Sequence, residues 1–124
     1  MTSSTGSRPS LLDGIARVLL CLVFLHAVIG KLTGFAGVAG MMAGRGLPIA
    51  PVLLAAAMAL MAVGSVLVIS GFRVRLGAIL LLLFLVPTTL IFHNDLADPQ
   101  ERIALLKNLS IMGGLLLVAE RPAA

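Results

Sequence analysis

A chain of 124 residues that is 60% hydrophobic, 11% charged and has a mean hydropathy of +1.14 cannot supply the polar surface of a water-soluble domain. Its formal charge of +4 does not point to nucleic acid, because the nine Lys and Arg residues are scattered at the ends of apolar runs. One cysteine, Cys21, excludes an internal disulfide and dithiol exchange within the chain.

Residues 46–72 and 76–92 carry no charge at all. At 1.5 Å per residue, either run crosses most or all of a hydrocarbon core of about 30 Å. Residues 11–30 and 103–119 are nearly as apolar. In lipid every backbone polar group needs a partner within the protein, so such runs are helices. The expected fold is all-α: a transmembrane up-down four-helix bundle with an interfacial segment between helices 1 and 2. Residues 10–119 form this domain, residues 1–9 a disordered tail and residues 120–124 a short C-terminal tail.

Taken in order, Ser10 and Asp13 resemble a capping box that starts the first span, which runs to about Gly30. The segment lacks a good Ala-x-Ala site and three more spans follow, so it reads as a retained span and not a secretory signal. In residues 31–49, Phe35, Val38, Met41 and Met42 form one side of a short interfacial helix that Gly44, Gly46 and Pro48 end. A second span covers Ala50 to Ser70, residues 71–75 make a tight basic turn, and a third span covers Leu76 to Phe92. Pro87 releases one backbone bond inside it, and Thr88 and Thr89 stand ready to satisfy what is freed. Asp98, Pro99 and Glu101 read as an N-cap, a first-turn proline and an acidic first turn, opening a fourth span to about Ala119. Both termini then share one face of the membrane. That face holds five basic residues (Arg8, Arg17, Arg73, Arg75, Arg121) against four opposite (Lys31, Arg45, Arg102, Lys107), which favours cytoplasmic termini.

Ionisable groups inside spans usually face the bundle interior or a watery cavity. Arg17 follows Asp13 by one turn, so it is either half of an i, i+4 ion pair or an inward contact to the third span or an anionic ligand. At the other end, His26, Lys31, His93, Asn94, Lys107 and Asn108, drawn from three spans, fall at one depth and form a candidate polar pocket. The plainer alternative has Lys107 reaching the interface or pairing with Asp95 or Asp98, and His93 ending a helix in water. Lys107, Ser110 and Gly114 share a face, where small residues admit a neighbouring helix. No nucleophile–base pair, phosphate loop or paired carboxylate is present, so no catalytic residue is assigned. No Cys/His cluster has metal-ligand spacing, and two lone histidines, His26 and His93, are too little for haem.

The runs GKLTGFAGVAGMMAGRGLP, GFRVRLGA, FHN at residues 92–94 and LKNLSIMGGLLL at 106–117 resemble the DoxX family of small four-span membrane proteins. The resemblance spans about residues 15–119. It implies polar family positions at Arg17, Lys31, Arg75, His93, Asn94, Lys107 and Asn108. It also implies association with membrane redox processes, since relatives include a thiosulfate:quinone oxidoreductase subunit and a membrane partner of superoxide dismutase and a sulfurtransferase. Two departures stand out. Relatives often carry a glutamate near the position of Met61, and aromatic residues after the His-Asn pair where Asp95 and Leu96 stand here.

Three functions follow as expectations. One is a non-catalytic accessory or scaffold subunit of a larger, redox-related membrane complex. The second is a quinone-binding oxidoreductase membrane subunit, with Lys107 and His93 at the quinone oxygens and electrons arriving from a partner. The third is a small-solute or anion carrier. No cofactor is assigned to the chain itself; a quinone would be a ligand. The expected partners are the lipid bilayer and other proteins, not nucleic acid. The expected location is the bacterial inner membrane, as a multi-pass protein with both termini cytoplasmic.

Overall fold

The computed structural model describes residues 11–92 and 95–120, and among these the ordered elements are five helices. Four are long and apolar enough to cross a membrane: α1 (Leu11–Thr33), α3 (Ala50–Ser70), α4 (Val74–Phe92) and α5 (Pro99–Ala119). Between the first two of these lies the short α2 (Phe35–Gly44). The long helices have 19 to 23 residues, roughly 28 to 35 Å of helix and so enough for a hydrocarbon core. The chain runs up and down through an all-helical bundle.

The expected spans are present with two shifts at their ends. α1 continues past Gly30 to Thr33, whose hydroxyl donates to Gly30 O at 3.0 Å, so Lys31 belongs to the last turn of the helix and not to a loop. α4 begins at Val74, which moves Arg75 from the connecting turn into the first turn of the helix. The reversal is completed by two residues with positive φ, Gly71 (82°) and Arg73 (55°). Glycine holds the first without penalty; Arg73 holds the second at a steric cost. The Ser10 cap, the tail at residues 1–9 and residues 121–124 lie outside the described residues.

α2 packs on α3 as a short apolar helix, but its inward face differs from the expected one. Ala39 and Met42 are buried with Ala50 and Leu54, and Phe35 and Val38 pack alongside. Residues 35, 38, 39 and 42 follow the i, i+3, i+4, i+7 spacing of one helix face. Met41 falls off that stripe and points outward. The helix ends in a Schellman motif: Gly46 takes φ 85°, Gly46 N–H donates to Ala43 O and Leu47 N–H donates to Met42 O.

α3 and α4 pack closest. A Cβ on Gly77 would stand 2.7 Å from Gly64 O, and one on Gly64 would stand 2.8 Å from Leu81 Cγ. Two facing glycines thus let the backbones approach, as small residues do at membrane helix crossings. Around this crossing lies the main core of Cys21, Phe24, Met61, Val68, Ala78, Leu81, Leu85, Leu115 and Val118. Phe24 and Phe84 meet edge to face, with centroids 6.4 Å apart. α1 lies against α3 and α2, and α5 lies against α4. α1 and α5 touch at Leu20, whose Cδ1 would be 3.4 Å from a Cβ on Gly114.

Candidate functional site

The polar side chains inside the spans divide into those turned inward and those turned outward. Arg17 is turned inward and is 8% exposed. Its Nε donates to Asp13 Oδ2 at 2.9 Å, the i, i+4 pair expected from the spacing. Its Nη1 donates to Val68 O at 2.8 Å and to Ile69 O at 2.9 Å. Both expectations for this residue are therefore combined, with one correction: the inward contact is to the C-terminal end of α3, not to the helix that starts near residue 74. The last carbonyls of a helix lack intrahelical donors, and a guanidinium both satisfies them and complements the negative end of the helix dipole. Gly71, at the α3 end, leaves room for it: a Cβ there would meet Arg17 Nη1 at 3.4 Å.

Asn108 is also turned inward, 6% exposed, and its Nδ2 donates to Thr89 Oγ1 at 3.1 Å, joining α5 to α4. Thr89 thus serves a neighbouring helix. Beside it, the Thr88 hydroxyl donates to Phe84 O at 2.8 Å. That bond lies one carbonyl along from Leu83 O, the group that Pro87 deprives of its usual donor. Pro87 itself sits within an unbroken α4.

Cys21 and Ser65 are fully buried side by side in the core. Ser65 Oγ has no conventional hydrogen-bond partner, since a thiol is a weak one. Met61, where the family resemblance leads one to expect a glutamate, is fully buried among the same apolar side chains.

The remaining members of the expected pocket are placed differently. His26 is exposed on α1 and Lys107 is exposed on α5, while Lys31 is half-buried in the last turn of α1. Lys107 and Asn108 are neighbours in sequence but lie about 100° apart around the helix, so one faces out while the other faces in. Among the described residues, the structure thus joins Asn108 to Thr89 and leaves His26 and Lys107 on the outside of the bundle. His93 and Asn94 lie outside the described residues. Arg75, at the other end, is exposed in the first turn of α4. No group of three or more His, Cys, Asp or Glu suited to a metal ion occurs among the described residues.

Two polar partners were missed in the sequence. Thr89 was read as a local satisfier of its own helix, when its spacing from Asn108 across a hairpin of two spans is the signal for an interhelical bond. Arg45 was read only as an interfacial charge. Its Nη1 donates to Ile91 O at 3.1 Å and its guanidinium lies 5.0 Å from the centroid of the Phe92 ring, so it caps α4 as Arg17 caps α3. At the α5 start, the expected N-cap is present: Asp98 Oδ1 accepts from Gln100 N–H at 3.0 Å, with Pro99 next and Glu101 in the first turn.

The model of the DoxX family matches residues 12–94. The inner membrane protein YqjF of Escherichia coli (strain K12) is 33% identical over 105 residues, 85% of this chain and 79% of that protein. The inner membrane protein YphA of the same organism is 35% identical over 120 residues, 91% of this chain and 84% of that protein. No solved structure matches.

Proposed function

The chain belongs to the DoxX family, and from that premise we propose that it is a non-catalytic accessory subunit that scaffolds a larger membrane complex. The observation that carries this reading is the division of its polar groups. Those turned inward hold the bundle together: Arg17 fastens α1 to the end of α3, and Asn108 fastens α5 to α4. Those left over, His26 and Lys107, face outward from membrane-length helices. An ionisable group inside a membrane is costly unless something polar meets it, and on an outer face that something belongs to another molecule. α3 adds an apolar counterpart: Ala55, Ala56 and Ala59 are exposed on its outer surface, where small side chains suit close helix packing. The redox character of the complex is carried by the family resemblance. As a relative of inner membrane proteins, the chain would perform this role in the bacterial inner membrane, with the basic excess on the termini side favouring cytoplasmic termini.

The test is purification of a tagged copy from its native membrane in mild detergent, followed by mass spectrometry with stoichiometry. One or two polypeptides at fixed ratio support the scaffold reading. A homogeneous solitary chain overturns it. In that case quinone reduction by Lys107→Met and His93→Ala variants decides whether the chain instead binds a quinone.

A further inference from the structure

The turn between α3 and α4 gathers more positive charge than the fold itself uses. Arg17 reaches it from α1 with three structural bonds: Nε donates to Asp13, and Nη1 donates to Val68 O and Ile69 O. The other terminal nitrogen, Nη2, has no acceptor among the described residues. A donor left unmatched on so buried a side chain is costly. It is not sealed in, however, because the fully enclosed side-chain polar atom without a partner among the described residues is Ser65 Oγ.

Two glycines frame Nη2. A Cβ on Gly14 would stand 3.9 Å from it and one on Gly71 3.8 Å, so a larger side chain at either position would close over the nitrogen. Gly71 leads directly to two more cations. Arg73 follows it by two residues, at most about 7 Å of chain, and Arg75 stands in the first turn of α4. Both are exposed, and neither guanidinium is paired among the described residues. The first N–H groups of α4 also lack intrahelical acceptors and add a positive helix end. The acids on this face of the bundle are Asp13, already held by Arg17, and Glu120, which follows α5.

The rim of the cluster selects the occupant. Leu11 and Val18 share the Gly14 stripe of α1 at spacings of three and four, and Phe72 lies between Gly71 and Arg73. All three are exposed. The cluster stands where α3 ends, α4 begins and α1 makes its first turns, the level at which membrane-length helices meet the headgroups. A soluble anion would engage the arginines and leave the apolar rim in water. The bilayer is the partner that four spans guarantee, and a phospholipid meets both parts: a phosphate for the guanidinium forks and acyl chains for Leu11, Val18 and Phe72.

We propose that the α3–α4 turn binds an anionic phospholipid, whose phosphate accepts from Arg17 Nη2 between Gly14 and Gly71 and is held from outside by Arg73 and Arg75. Basic pockets between spans bind such headgroups. The bound lipid satisfies the nitrogen that the bundle leaves open.

The experiment uses the full chain in dodecylmaltoside, with bound lipids counted by native mass spectrometry during titration with phosphatidylglycerol or phosphatidylcholine. Phosphatidylglycerol is expected to bind more tightly, at one site, and to resist excess inorganic phosphate. The double variant Arg73→Gln/Arg75→Gln is expected to weaken it about thirty-fold, each arginine near an anionic surface contributing about 1 kcal/mol. Gly14→Leu leaves every charge in place and covers Nη2. It is expected to weaken binding about tenfold, the worth of one hydrogen bond to a charged group. Arg102→Gln, at the opposite end of the bundle, is expected to change nothing.

Equal binding of the two lipids overturns the proposal and leaves the cluster to an acidic protein surface. Displacement by inorganic phosphate also overturns it, assigning the site to a soluble anion. Full binding in Gly14→Leu does the same, since the attraction would then be diffuse charge without Arg17. Unchanged helical circular dichroism shows that each variant is folded. Whether stoichiometric partners co-purify is a separate question, decided by the scaffold test.

Discussion

Arg17 and Arg45 perform the same task at opposite ends of the bundle, and the difference between them is burial. Each guanidinium reaches across from an earlier element to the last carbonyls of a span: Arg17 to Val68 and Ile69 of α3, Arg45 to Ile91 of α4. A span that ends inside or near the membrane leaves carbonyls that water does not reliably reach, and a planar multi-donor cation suits them. Arg17 does this at 8% exposure, neutralised by Asp13 and roofed by Gly71. Arg45 does it in the open, leaning on the ring of Phe92. One end of the bundle is therefore locked by a buried arginine and its part-buried carboxylate, and the other is only clasped.

The largest test of this contrast is Arg17→Met. Removing the cation takes one partner from Asp13 and a side-chain donor from Val68 O and Ile69 O at once. Breaking a buried ion pair costs about 3–5 kcal/mol, and the partial exposure of Asp13 sets the expectation at the lower end of that range. The expected result is a correspondingly early unfolding midpoint in mixed dodecylmaltoside–SDS micelles. Circular dichroism is the readout, since the chain has neither Trp nor Tyr. Arg17→Lys should recover part of the loss, because an ammonium does not span Asp13 and both carbonyls in one plane. A shift under 1 kcal/mol for Arg17→Met would abolish the distinction between the two ends. Next in size is Gly77→Ala, which sets a methyl 2.7 Å from Gly64 O against backbone that cannot rotate away. Overpacking of this kind costs about 1–3 kcal/mol. If this variant were neutral, the α3–α4 crossing would not be what rigidifies the locked end.

How much of this was legible beforehand follows from the kind of signal each feature leaves. The four spans were plain, because lipid demands long uncharged runs and residues 46–72 and 76–92 have no other explanation. Their ends were less plain: Lys31 and Arg75 read as loop charges, yet both sit in terminal helical turns where a long side chain still reaches the interface. The Asp13–Arg17 pair follows from spacing alone. The attachment of Arg17 to α3 does not, since carbonyls carry no mark in sequence and the contact joins residues 51 and 52 positions apart. The polar pocket shows the sharper limit. His26, Lys107 and Asn108 share a depth, which topology predicts, but depth says nothing of azimuth. Only the packing of Leu115 and Val118 turns Asn108 inward and Lys107 out. Met41 misled for the same reason: it lies about 100° from Met42 around the helix and faces outward.

The Asn108–Thr89 bond lies on the clasped side, three residues inside the end of α4, and sharpens the comparison with a smaller effect. Interhelical hydrogen bonds in membranes average about 0.6 kcal/mol and reach about 1.7. A double-mutant cycle of Asn108→Leu and Thr89→Val should return a coupling in that range. A coupling near zero would mean that Asn108 is held by packing alone.

The smallest expected effect belongs to Arg45→Ala, and it is the one that defines the clasped end. The variant loses a 3.1 Å bond to Ile91 O and the stacking on Phe92. Both are exposed, so water can take over the carbonyl and solvate the change. A cation–π contact at an exposed site contributes about 0.5–1 kcal/mol, and the hydrogen bond adds little where water replaces it. The expected shift is therefore well under that of Arg17→Met. It should shrink further when Phe92→Leu is already present, since the two side chains share one contact. A loss equal to that of Arg17→Met would place Arg45 below the interface, and the far end of the bundle would then be locked as firmly as the near one.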